Sequence, residues 1–199
     1  MANAKWKPAF RAIPPTAIKI ALPNIVQQEG YTCGPAALAA IRAYYDAGSC
    51  EEETQVVDDM GLADDAGSDP RDVIRAVRAS PGLEYKSWRS MTDKELRGCM
   101  DRGHPVMVML QAWGDPKPPD YNGWGDGHWV VAIGYDAKGV YFEDPSLYCR
   151  RGFLTWTALS ERWHDIEGPD NHATHRFGLE VWKDGVQSSR FDKRAVVIE

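Results

Sequence analysis

No run in this 199-residue sequence is long and apolar enough to cross a bilayer as a helix. The first twenty residues carry Lys5, Lys7, Arg11 and Lys19 and no uninterrupted apolar core, so they do not read as a secretory signal. Basic charge is in short supply. Against 29 Asp and Glu stand 23 Lys and Arg, a formal net charge of −6, which leaves no electrostatic footprint for nucleic acid or an anionic membrane surface. Cysteine is sparse as well. Cys33, Cys50, Cys99 and Cys149 are irregularly spaced, and no C-x-x-C pair signals zinc or a thioredoxin-like site. One reactive thiol among four would leave an odd number, so reduced cysteines in a cytoplasmic compartment are the simpler expectation. There is no internal repeat and no low-complexity linker.

What is present suits a folded domain: 43% hydrophobic residues and eight tryptophans. Pro8, Pro14 and Pro15 mark residues 1–16 as an extended arm, and residues 17–199 read as one domain. Within it, 17–22 suits a short strand. Helices are expected over 36–45, with Gly48 as a stop, over 51–60, from the Ser68-Asp69-Pro70 cap to about 79, and from Thr92 to about 102. In the last of these, Thr92 and Glu95 match a capping box. Residues 83–88 alternate as a strand between helices. Strands then dominate: a buried run at 106–110, a hairpin of 128–135 and 140–143 around Asp136-Ala137-Lys138-Gly139, a short strand at 153–156 and a last one at 177–182, with a short helix at 157–163. Helices first and a mostly antiparallel sheet second is an α+β layout.

The chemistry concentrates at Gln27-Gln28-Glu29-Gly30-Tyr31-Thr32-Cys33-Gly34-Pro35. Cys33 opens the first helix. Free N–H groups and the dipole at a helix start favour negative charge, which a thiolate nucleophile requires. Pro35 fits the first turn, where a missing N–H costs nothing. Gly34 permits backbone and substrate to approach closely. An isolated buried cysteine is ordinarily inert; this one has partners elsewhere in the chain.

His128 starts the first strand of the hairpin, and Asp144 follows the second. A tight antiparallel hairpin brings those ends together, and Pro145 biases Asp144 toward extended backbone. Asp144 could then orient the imidazole and stabilise its protonated form. The competitors are weaker: Asp136 suits a turn, Glu143 would face the other side of the strand, and His104 reads as a helix-end residue. His164, Asp165, His172 and His175 match no strong zinc pattern. Upstream, Gln27 or Gln28 could donate an amide N–H to an oxyanion beside the Cys33 N–H, and the residues alone do not choose between them. Residues 114–127 form a long Gly- and Pro-rich loop running into His128, with Trp124 and the adjacent Trp129 as candidate walls of a narrow cleft. Its acidic residues, Asp126 among them, would draw a basic peptide segment only weakly, because salt screens exposed charge.

Gln27 through Leu38, His128-Trp129-Val130-Val131 and Asp144-Pro145 together resemble the double-glycine leader peptidases, bacteriocin-processing cysteine peptidases of the papain-like clan. The sequence Thr32-Cys33-Gly34-Pro35 is closer to their stand-alone relatives than to the transporter-fused ones. The resemblance implies a papain-like fold over roughly residues 17–160. It implies Cys33 as nucleophile, His128 as base, Asp144 as orienter and, from the six-residue offset, Gln27 as oxyanion donor. It also implies cleavage of a peptide bond, after small residues such as Gly-Gly, and Gly34, Trp124 and Trp129 are the residues expected to line the substrate site. Neither a metal nor an organic cofactor is expected, and the expected partner is a peptide or protein substrate. An amidase or transglutaminase-like acyl transferase would use the same thioester chemistry. A peptide-binding module without turnover is the third possibility.

Overall fold

Alanine and leucine lose little freedom in a helix, and the first helix is built largely from them. In the computed structural model, which describes residues 11–45, 53–63, 65–112, 121–168 and 171–185, α1 spans Cys33–Tyr45 and is buried nearly all round. The expected stop at Gly48 lies outside the described residues. Two shorter helices pack beside it, α2 (Glu53–Met60) and α3 (Pro70–Ala79). Asp69 caps α3, accepting from the N–H groups of Arg71 and Asp72, while the Asp72 carboxylate returns the bond to the Asp69 N–H. Arg42 ties the three helices together. Its buried guanidinium bonds Ser80 Oγ at 2.8 Å and the Ala76 carbonyl at 3.0 Å and pairs with Asp59 at 2.8 Å. A charge so placed needs those partners.

Six strands form one antiparallel sheet: β1 (Leu83–Trp88), β2 (Val106–Gln111), β3 (Gly127–Tyr135), β4 (Gly139–Glu143), β5 (Arg151–Thr155) and β8 (Gly178–Lys183), in the order β1-β8-β2-β3-β4-β5. Helix α4 (Asp93–Asp101) carries the expected Thr92–Glu95 capping box, and α5 (Trp156–Arg162) follows β5. Every residue of β2 and β4 is buried. Consecutive strand residues face opposite sides, so both faces of the central sheet are covered. α1 lies against β3, which sets the start of α1 beside the start of that strand.

Two local readings change. Residues 17–22 form no strand, only a bridge from Ile18 to Gly134. The register of β3 against β4 shifts between Ala132 and Gly134, and the N–H groups of Lys19 and Ile20 share one acceptor, the Ile133 carbonyl, so no ladder can propagate. Gly134 is required there because a Cβ would stand 2.1 Å from the Ala17 carbonyl oxygen. A second hairpin, β6 (His164–Glu167) with β7 (His172–His175), occupies a stretch with no strong strand signal. The last strand, expected over 177–182, forms over Gly178–Lys183. β8 is inserted between β1 and β2 and completes the core with Leu179 and Val181.

Candidate active site

The β3–β4 hairpin decides where the imidazole and the carboxylate meet. Val131 pairs with Glu143, and Asp144 leaves the strand one residue later. His128 Nε2 and Asp144 Oδ1 are 2.7 Å apart. The same carboxylate oxygen accepts from Ser146 N–H at 2.9 Å and Ser146 Oγ at 2.7 Å, a local turn that fixes its aim. The His128 ring also interacts with the Cys33 thiol. Three of the four candidate groups, drawn from a helix start, a strand start and a strand end, are therefore brought together.

Electrostatics follow from that grouping. Burial alone would lower the His128 pKa, since only 2% of the residue is exposed. Hydrogen bonds and charge from Asp144 and Cys33 outweigh burial and push it up to about 9. Burial alone would raise Asp144, but the bonds from His128 and Ser146 hold it below the ordinary carboxylate value. A protonated imidazole held by Asp144 is the partner a thiolate nucleophile needs.

Gln27 lies on the segment leading into α1. Its N–H bonds the Pro145 carbonyl at 3.0 Å, which links this segment to the Asp144 turn. Its Nε2 donates to the Glu29 carbonyl at 2.7 Å, and its Oε1 is buried with no partner among the described residues. Gln28 differs: its side chain is exposed, and its N–H is spent on the Glu53 carboxylate at 3.1 Å. The sequence reading passed over Glu53. It is buried, burial pushes its carboxyl up against bonds from Thr32 and the Gln28 N–H, and it holds the 28–32 segment in shape. The run Glu51-Glu52-Glu53 announces an acidic helix start, but nothing in it marks which carboxylate turns inward.

Gly34 is held closely, though by the protein itself. A Cβ there would stand 1.9 Å from Ser68 Oγ and 3.1 Å from Trp129 Cδ1. Trp129 is buried and donates from Nε1 to the Ser68 carbonyl at 2.9 Å. Beside Cys33 a cleft of about 500 Å³ opens, lined by Tyr31, Ser68, Trp129, Asp165 and Ile166 among others. Trp124 lies elsewhere. Its ring packs against His164 and His175, with centroids 4.6 and 5.3 Å away, and is not part of that lining. Most of the proline-rich half of the 114–127 loop falls outside the described residues. Among the described residues, no three His, Cys, Asp or Glu side chains are placed to hold a metal ion, and no helix is long and apolar enough to cross a membrane.

A helix-borne cysteine facing a sheet-borne His–Asp pair, on helices followed by an antiparallel sheet, is the papain-like architecture. The chain belongs to the Peptidase C39-like family, whose model matches residues 19–169. Solved structures agree on the fold. A protein described as a C39-like peptidase from Bacillus anthracis superposes with a TM-score of 0.63 at 16% identity, covering 84% of this chain and 97% of that one. The peptidase domain of Streptococcus ComA, a bifunctional ABC transporter, gives 0.55 at 16% identity, covering 80% and 97%. A double-glycine-motif protease of an AMS/PCAT transporter, solved with its leader peptide, gives 0.54 at 24% identity, covering 81% and 91%. No curated protein matches the chain.

Proposed function

We propose that this protein is a cysteine peptidase in which Cys33 is the nucleophile, His128 the acid–base and Asp144 its orienter. The observation that carries this reading is the 2.7 Å contact of His128 with Asp144 on a ring that also engages Cys33. Membership of a peptidase family supports it. The Cys33 sulfur attacks the peptide carbonyl carbon and forms a C–S bond. His128 gives its proton to the leaving amine as the C–N bond breaks. Water, deprotonated by His128, then attacks the thioester, releasing the acid and restoring the thiol.

Gln27 serves as oxyanion donor in this reading. An amide nitrogen carries two hydrogens, and only one of those on Nε2 is spent on Glu29. Gln27→Ala should lower kcat by about 100- to 1,000-fold, the usual cost of one oxyanion donor. Gln28→Ala should cost far less, because that side chain is exposed and the N–H survives the change. Kinetics of the two variants on one peptide check this, and a larger loss from Gln28→Ala would reverse the assignment.

Preference for Gly or another small residue beside the scissile bond is part of the same proposal, and a relative solved with a leader peptide supports it. A peptide library digested by the protein, with products read by mass spectrometry, should show cleavage after small residues. Added amine should not appear in the products. Amide products carrying that amine would instead mark an acyl transferase.

A further inference from the structure

The cleft beside Cys33 has a wall that the chemistry above does not use. Asp165, on β6, lines it and is only 8% exposed. One carboxylate oxygen, Oδ1, accepts from Gln111 Nε2 at 3.1 Å and from the Ile166 N–H at 2.8 Å. Both donors are neutral. The other oxygen takes no hydrogen bond from the described residues, and no Lys, Arg or His among them pairs with Asp165. Oδ2 faces Gly127, the residue before His128, where a Cβ would come within 2.3 Å of it.

Two more carboxylates line the cleft, but both are occupied. Asp69 caps α3 and pairs with Arg71 at 2.9 Å. Asp72 completes the capping box and pairs with Arg75 at 3.2 Å. Asp165 alone of the three keeps a buried charge with no cation. Such a charge is costly, and an asparagine would accept the same two bonds without it. Burial accordingly pushes the Asp165 carboxyl up to about 6, against the bonds from Ile166 and Gln111. Met109, Trp129 and Ile166 line the same space with apolar surface. A long aliphatic stem ending in a cation fits that combination.

We infer that Asp165 forms a subsite for the Lys or Arg side chain of a substrate peptide, held close to the scissile bond. The proposal rests on the reading of Cys33, His128 and Asp144 as a peptidase. It makes Asp165 a specificity residue, since the ion pair would bind the substrate without entering the bond-making step.

The test separates the two claims. Glycine-containing peptides in which Lys, norleucine or Glu scans each position are titrated, by fluorescence anisotropy, against Cys33→Ala and against Cys33→Ala with Asp165→Asn. Turnover of the same peptides is measured for the wild type and for Asp165→Asn. At one position Lys should bind about tenfold tighter than norleucine, the usual advantage of a charge-assisted bond, and Glu weaker than either. Asp165→Asn should bring the Lys to norleucine ratio near one while turnover of the norleucine peptide stays within threefold. Equal binding of Lys and norleucine at every position, or a ratio unmoved by Asp165→Asn, overturns the subsite. Should Asp165→Asn fail to fold by circular dichroism, the Lys, norleucine and Glu ranking on Cys33→Ala alone still decides. Selective binding without any wild-type turnover would overturn the peptidase reading and leave the subsite standing.

Discussion

Cys33→Ala abolishes peptide turnover and leaves the fold in place. The side chain is small and 8% exposed, at the first residue of a helix whose next residues are Gly, Pro, Ala and Ala. Alanine fills nearly the same space and is the best helix former, so the melting temperature should move by only a few degrees. The chemistry depends on this thiol. Among the described cysteines, Cys99 is fully buried, and burial is the first reason its thiol is pushed up to about 12, while Cys149 is exposed on the turn after Asp144. Turnover below one part in about 10,000 of wild type, with an unchanged circular dichroism spectrum, is the expected result. Activity within tenfold of wild type would remove Cys33 from the mechanism.

Asp144→Asn produces the second large effect, and its signature lies in pH. The Asn side-chain oxygen can still accept from His128 Nε2, so the ring stays oriented, but the negative charge is gone. His128 is raised from 6.5 to about 9. A raised group contributes stability fully below its ordinary value and loses that contribution as pH climbs through about 9. Asp144 is lowered, so its contribution is present above the ordinary carboxylate range and lost as pH falls through its depressed value. Wild type should therefore exceed Asp144→Asn in stability most clearly between about pH 4 and 6.5, with the gap closing by pH 9 to 10. Activity should show the same shift. The alkaline limb of kcat/KM, near pH 9 in the wild type, should move toward 6.5 in the variant, leaving residual turnover at pH 6. Identical pH profiles for the two proteins would show that the carboxylate charge does not act on His128.

Much of this was legible because the signals were local. Capping residues at Asp69 and Thr92, the Asp136-to-Gly139 turn and the apolar run at β2 each announce an element through short-range chemistry. The His128–Asp144 contact could be anticipated for the same reason: one tight hairpin and its register bring the two together. The unread parts depend on long-range geometry. Glu53 reaches the Gln28 N–H across 25 residues, and Gln111 reaches Asp165 across 54. No spacing rule foretells such a pair. The β6–β7 hairpin was missed because His164-Asp165-Ile166-Glu167 and His172-Ala173-Thr174-His175 carry almost no apolar alternation, and their pairing is sustained by packing beside β2. The place of β8 inside the sheet is likewise a matter of topology, which a strand's own sequence does not encode.

Activation of Cys33 by His128 leaves a chemical signature that covalent labelling reads. A peptide carrying a thiol-reactive electrophile is incubated with the protein at neutral pH, and the labelled cysteines are located by mass spectrometry. Rapid modification of Cys33, no modification of buried Cys99, and loss of the Cys33 label in His128→Ala are expected. Equal labelling of Cys33, Cys50, Cys99 and Cys149, or a Cys33 label that persists undiminished in His128→Ala, would contradict that activation.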